Sequence, residues 1–150
     1  MRTVKPTWRT LVAAASVTAA LVLTAAAPAT AADGWQRTGD VSESAYGNGY
    51  AKKCARTGYG EACFQGYGEW IWLRDLYANG RPVAMDWYYN GPSGLRSGVA
   101  YWDGSATAGW TNLNKSFDED GDFNFRVCEV DLGAGDVVRD TCSPWTWVST

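Results

Sequence analysis

Apolar and polar residues alternate along much of the chain beyond Cys54, and the alternation is that of strands. Phe123, Phe125 and Val127 are interleaved with Asn124, Arg126 and Cys128, the period of two that turns one face of a strand toward a core. Glu61–Gly68 and Glu69–Tyr77 are dense in aromatic and branched side chains, which predicts two further strands. Asn79-Gly80 comes next, and the positive φ angles such a pair supplies predict a type I′ turn. That turn would join Trp70–Tyr77 to Val83–Tyr89 as a hairpin. Asn90-Gly91-Pro92-Ser93-Gly94 predicts a second turn and Leu95–Trp102 the strand after it. Asp103-Gly104 predicts another turn, and Trp145–Val148 the last strand. No window carries apolar residues at helical spacing over three turns. Strands at about ten-residue spacing with Gly, Asn or Asp between them predict an all-β fold, a small antiparallel β-sandwich or barrel.

The pattern is absent upstream. Residues 33–50 are rich in Gly, Ser, Asp and Asn, with isolated aromatics at Trp35, Tyr46 and Tyr50. This reads as an N-terminal tail, with Asp33–Asn48 flexible until something holds it, ahead of a domain over residues 51–150. Trp35 gives the tail a second meaning, because a lone Trp in a polar segment is an anchor for a partner's pocket. Residues 1–32 follow another order again. Arg2, Lys5 and Arg9 precede an apolar run from Leu11 to Ala27, and Ala29-Thr30-Ala31 offers the small residues of a cleavage site. The run is diluted by Ala, Ser and Thr and is followed by no basic stop-transfer cluster, so it predicts a cleaved secretory signal rather than an anchor.

Cleavage changes the charge. The chain's 13 basic and 16 acidic residues become 10 and 16 once Arg2, Lys5 and Arg9 are gone, a net charge of −6 on 118 residues. An acidic surface repels phosphate backbones, which argues against nucleic acid as a partner. No other apolar run reaches spanning length, so no membrane is expected after cleavage. Cys54, Cys63, Cys128 and Cys142 all fall in the exported part, and an even count there reads as a disulfide framework. Four cysteines allow three pairings. The close spacing favours Cys54 with Cys63 and Cys128 with Cys142. Neither pair has the spacing of a zinc knuckle, and no metal or other cofactor is expected.

The chain contains no histidine, so Ser-His-Asp and Cys-His machinery are excluded, and no phosphate-cradling loop is present. Carboxylate pairs are the remaining catalytic option. Glu69, Asp75, Asp86 and Asp103 lie in or beside strands, where two could face each other across a cleft. With 16 acids in the chain some close pair is nearly inevitable, so surface charge is the favoured role. Asp118-Glu119-Asp120-Gly121-Asp122 places acids at positions 1, 3 and 5 of a calcium loop, with Glu129 at position 12. Phe123 stands where that loop needs glycine, which favours an acidic hairpin turn. Eight Trp, eight Tyr and four Phe remain after cleavage, more than a core this small absorbs. The surplus belongs at the surface, where rings anchor protein partners or stack on sugars. Trp70, Trp72, Trp87, Tyr88, Tyr89, Tyr101, Trp102 and Trp110 form the pool from which it would come; the residues do not sort core from surface among them, and for any one ring the core is favoured.

One segment resembles a known family. Phe125-Arg126-Val127-Cys128-Glu129-Val130-Asp131, followed by Asp140-Thr141-Cys142-Ser143-Pro144-Trp145, is similar to the ending of small secreted actinobacterial proteins. Among these is the adaptor subunit of Streptomyces umbrella toxin particles, which also shares the layout of signal, polar tail, short β domain and two cysteine pairs. The resemblance implies a non-catalytic adaptor joining a large toxin subunit with helical repeats to a lectin subunit with a degenerate trypsin-like fold. The adaptor's tail enters the lectin subunit's cleft, and the segment here that matches it is Asp33–Asn48. Trp35 and Arg37, with Tyr46 beyond them, are then the residues expected to meet the partner. The alternatives from the residues alone are a carbohydrate-binding module, a secreted inhibitor or a small carboxylate-dependent hydrolase.

Overall fold

Phe123, Phe125 and Val127 point together into a core between two sheets, and all three are fully buried. The computed structural model describes residues 31–150; the export signal expected over residues 1–32 lies, but for its last two residues, outside the described residues. The strands are β1 (Ala31–Arg37), β2 (Gly39–Asp40), β3 (Lys53–Arg56), β4 (Gly60–Gln65), β5 (Trp70–Asp75) and β6 (Val83–Gly91). They continue with β7 (Gly94–Trp102), β8 (Thr111–Asn114), β9 (Asp122–Asp131), β10 (Asp136–Val138) and β11 (Thr146–Ser149). A single helical turn, α1, spans Glu43–Tyr46.

The larger sheet runs β1-β7-β6-β9-β10, with β11 pairing the other half of β9. The smaller runs β2-β8-β5-β4-β3. Stacked, they make the all-β sandwich that the alternation predicts. Val83, Met85, Trp87 and Tyr89 of β6 face Phe64 of β4 and Ile71 and Leu73 of β5, and Phe64 stacks on Phe123 at 4.0 Å. Burying each such side chain contributes about 1.5–3 kcal/mol. The hairpin from β6 to β7 turns at Pro92-Ser93, inside the predicted turn cluster.

The hairpin expected at Asn79-Gly80 does not form. β5 pairs with β4 and β8, whereas β6 pairs with β7 and β9, so residues 76–82 cross from one sheet to the other. Two features oppose a tight turn. Gly80 takes a positive φ of 80° but Asn79 does not, and a type I′ turn needs both. Pro82 has no N–H to carry a ladder into the turn. Asn79 spends its side-chain amide on Glu129 of β9 instead.

Residues 33–50, expected as a tail, are built into the domain. β1 lies parallel to β7, with Trp35 beside Val99 and Arg37 beside Tyr101. Thr38 is buried where the chain passes between the sheets, its hydroxyl 2.7 Å from that of Thr111. β2 then extends the smaller sheet, and α1 lies over that sheet's outer face. The cause is a polar latch. The Asp33 carboxylate receives Arg96 Nη2 at 2.8 Å and is ion-paired to Lys115, whose side chain is buried. Burial pushes the Asp33 carboxyl up, and the bonds from Arg96 and Lys115 more than reverse this, leaving it below its ordinary value. Glycine also permits the approach: a Cβ on Gly98 would stand 3.0 Å from the Gly34 carbonyl oxygen and 2.8 Å from the Trp87 ring.

Both disulfides join the cysteines that spacing favours. Cys54 and Cys63 are directly opposite across β3 and β4, and Cys128 of β9 is tied to Cys142. Such bonds persist outside reducing compartments. Among the described residues no helix is long and apolar enough to cross a membrane.

Candidate functional site

The two sheets treat their outward faces differently. Outward residues of the smaller sheet include Trp72, Cys63 and Trp70, joined by Trp110 just before β8. The segment from Val41 to Tyr46 covers them. Tyr46 stacks on Trp110 at 3.8 Å with planes 5° apart, meets Trp72 edge-on at 5.4 Å, and sets its hydroxyl 3.4 Å from Cys63 Sγ. Lys52 places its ammonium 4.9 Å above the same ring. Burial, then the nearby Glu61 carboxylate, raises the Tyr46 hydroxyl above its ordinary pKa. The structure thus commits Tyr46 to its own domain.

The larger sheet's outward face has no such cover among the described residues. Register sets its rows. Trp35, Val99, Asp86 and Arg126 lie side by side across β1, β7, β6 and β9. The next row is Ser97, Tyr88, Asn124 and Trp147 across β7, β6, β9 and β11. Trp145 reaches onto the same face. It packs edge-on to Tyr88 at 5.2 Å and covers the Arg126 guanidinium at 4.6 Å, while Arg126 Nε donates to Asp86 at 2.8 Å. At the far edge Trp35 leans on Tyr101 at 6.1 Å. Trp147 is 57% exposed, Trp145 46%, Trp35 38% and Tyr88 37%. Four large rings on one sheet face, around an ion pair whose charges satisfy each other, make a surface suited to burial against another molecule.

Arg37 sits at the corner of this face. Its guanidinium lies 4.5 Å over the Trp102 ring, and Nε donates to Asp103 at 2.5 Å. Of the three residues expected to meet a partner, Trp35 and Arg37 are therefore solvent-facing neighbours, and Tyr46 lies on the other sheet. Trp145 and Trp147 were legible only as a last strand. Nothing in Trp145–Val148 tells which of its side chains faces out, because Trp147 and the inward Val148 are both apolar.

Of the four carboxylates considered for catalysis, two are engaged apart from the others and two share a cavity. Asp86 is paired with Arg126, and Glu69 Oε2 accepts the Phe117 N–H at 2.9 Å. Asp75 and Asp103 line one cavity at the end of the sandwich. In the acidic turn, Asp118 Oδ2 accepts the Ser93 N–H at 3.0 Å, and the Asp118 carbonyl receives the Tyr89 hydroxyl at 2.6 Å. The hydrogen bonds from Ser93 hold the Asp118 carboxyl below its ordinary pKa. Cys54, Glu61 and Cys63 form the one gathering of potential metal ligands among the described residues, and its two sulfurs are joined to each other.

Compared with known proteins, the chain matches no family model, no curated protein and no solved structure.

Proposed function

We propose that this protein is a secreted, non-catalytic adaptor that docks on other proteins through the outer face of its larger sheet. One observation carries the reading. Among the described residues, the chain covers the aromatic face of its smaller sheet with its own side chains and leaves the equivalent face of the larger sheet open. Aromatic rings with an adjoining Arg are the side chains that dominate binding at protein interfaces. The lack of histidine and the signal-like first 32 residues support the same reading.

The partners we propose are subunits of an extracellular antibacterial particle of the umbrella type, a large repeat-bearing toxin subunit and a lectin subunit. The support for that finer statement is the likeness of the Phe125–Trp145 segment and the layout of the chain. In this reading a partner's cleft meets Trp35 and Arg37 on β1 while β1 stays paired, and a second partner has the Trp145–Trp147 end. Carbohydrate binding is the second reading, because exposed Trp and Tyr share a sheet face. Against it, the Tyr88 and Trp145 planes differ by 63° and those of Trp35 and Tyr101 by 57°, whereas stacking on successive sugar rings favours coplanar side chains.

The test is affinity purification of tagged protein from culture supernatant beside a Trp145→Ser/Trp147→Ser double variant. The wild-type chain should retain large secreted partners that the variant loses, at about 2 kcal/mol per ring or roughly thirtyfold in affinity. Thermal unfolding should be nearly unchanged, since both rings are solvent-facing. If both proteins emerge alone and monodisperse, the adaptor reading fails. Retention of a glycan matrix by the wild type alone would select the second reading.

A further inference from the structure

Beside the crossover loop, where β5 ends and β6 begins, a cavity of about 230 Å³ opens. Its wall includes Asp75, the last residue of β5, which is only 6% exposed. Asp75 Oδ1 accepts the Tyr77 N–H at 2.8 Å, while Oδ2 takes no hydrogen bond from any described residue. None of the described cations forms an ion pair with it. Burial pushes this carboxyl above its ordinary pKa, the Tyr77 amide draws it partly back, and the neighbouring Glu129 carboxylate raises it again. Glu129 is 3% exposed, and its cation, Arg81, stands 3.8 Å away with an exposed side chain. A buried carboxylate without a counter-charge is costly, so a cation placed beside Asp75 would be drawn to it and would favour its charged form.

The rest of the wall indicates which cation fits. Ala78, Pro82 and Ala106 give it apolar surface, and Asp103, bonded to Arg37, adds a second carboxylate. Arg81 also lines it, and its guanidinium is directed to Glu129. Among the described residues, Asp75 belongs to no trio of His, Cys, Asp or Glu ligand atoms within 4.8 Å of one another, so acidic side chains are not gathered round it as a metal's ligands are. A cation with a methylene stem uses both the apolar wall and the acid. We infer that the cavity binds a primary alkylammonium group, its stem against Ala78, Pro82 and Ala106 and its head on Asp75 Oδ2. The inference is independent of the docking face proposed above. Two sources share this chemistry, a lysine side chain of another protein and a free polyamine.

The test is an NMR titration of ¹⁵N-labelled protein with three probes: Nα-acetyl-lysine methylamide, cadaverine and the neutral Nα-acetyl-norleucine methylamide. The cationic probes should shift the amides of Gly80, Gly104 and Ser105, all in the cavity wall, and the neutral one should not. Tighter binding of the capped lysine would select a protein source, and tighter binding of cadaverine a polyamine. Asp75→Asn keeps an acceptor for Tyr77 and should weaken the cationic probes by roughly tenfold or more. Ala106→Phe, which fills the cavity without touching the acid, should also block them, and Asp120→Asn in the exposed turn should leave them unchanged. Equal shifts from the neutral probe, unaltered affinity in Asp75→Asn, or no shift of these amides would each overturn the inference.

Discussion

Asp33→Ala is expected to cost the domain about 3 kcal/mol and to loosen its first strand before the rest unfolds. The Asp33 side chain is 12% exposed and that of Lys115 6%, so the substitution strands an ammonium group already removed from water. Gln36 Oε1 and the Trp87 ring, whose centre lies 5.2 Å from Lys115 Nζ, soften the loss without supplying a charge. Urea unfolding would give the size of the effect, and amide exchange would show whether β1 and its partner β7 open first. A loss under about 1 kcal/mol would mean that the ladder alone holds β1. Acid should act on the same latch. The folded-state pKa of Asp33 is depressed from 3.8, so its contribution is present above that value. It disappears as the pH falls through the lower folded value. Wild-type stability should therefore fall more steeply than that of Asp33→Ala below about pH 3.8.

Removing the Cys128–Cys142 bond by a double change to Ala is the second large effect, about 3 kcal/mol for a loop of this length. Cys128 is fully buried on β9, which lies between β6 and the edge strands β10 and β11 of the larger sheet. Beyond the end of β9, the loop it closes runs over residues 132–141 and holds only the three-residue β10 and one short helical turn of its own. With the bond gone, that stretch keeps the β10 ladder and the bonds that β9 backbone amides donate to the Thr141 and Ser143 hydroxyls, and β11 keeps its own pairing with β9, so the loss is that of the closed loop. The Cys54–Cys63 bond closes a shorter loop, across two strands whose ladder already holds them together. Its removal should cost roughly 2.5 kcal/mol. Comparing the two double variants in denaturant separates these cases, and an equal or reversed order would contradict the role given to Cys128.

Where each residue's partner lay close in sequence, or where one face alternated cleanly, the fold was legible. β9 was plain because Phe123, Phe125 and Val127 alternate with polar neighbours, and β6 with β7 because a turn cluster separates them. The crossover at Asn79-Gly80 was not, because turn chemistry is local while the choice of sheet is made by distant strands. β1 was hidden for the same reason. Its residues are polar because they sit at an edge, and the groups that hold Asp33 lie 63 and 82 residues away.

The candidate surface was partly legible. Trp35 stood out because its surroundings are polar, and the structure does leave it facing solvent. Tyr46 looked alike in sequence, yet the face it covers is assembled from Trp72 and Trp110, which only the folded sheet brings together. Trp145 and Trp147 carried the opposite ambiguity, since large apolar residues at the end of a chain read as core. Surplus aromatic content was visible from composition, but its placement needed the register.

The parallel pairing of β1 with β7 has a consequence for the order of folding. β1 is synthesised before the other strands of the described residues, but its partner residues, Arg96 to Tyr101, lie more than sixty positions further on. The long loop between them must close before any contact rewards it, whereas β6, β7 and β9 can assemble through shorter connections. Among the described strands, the first to be made is thus among the last to dock, together with β2, whose partner residues Thr111 and Asn112 on β8 lie as far along the chain. Until β1 does, β7 is an open sheet edge that itself carries Val99 and Tyr101, and for that interval the nascent domain is at its most vulnerable to pairing with another chain.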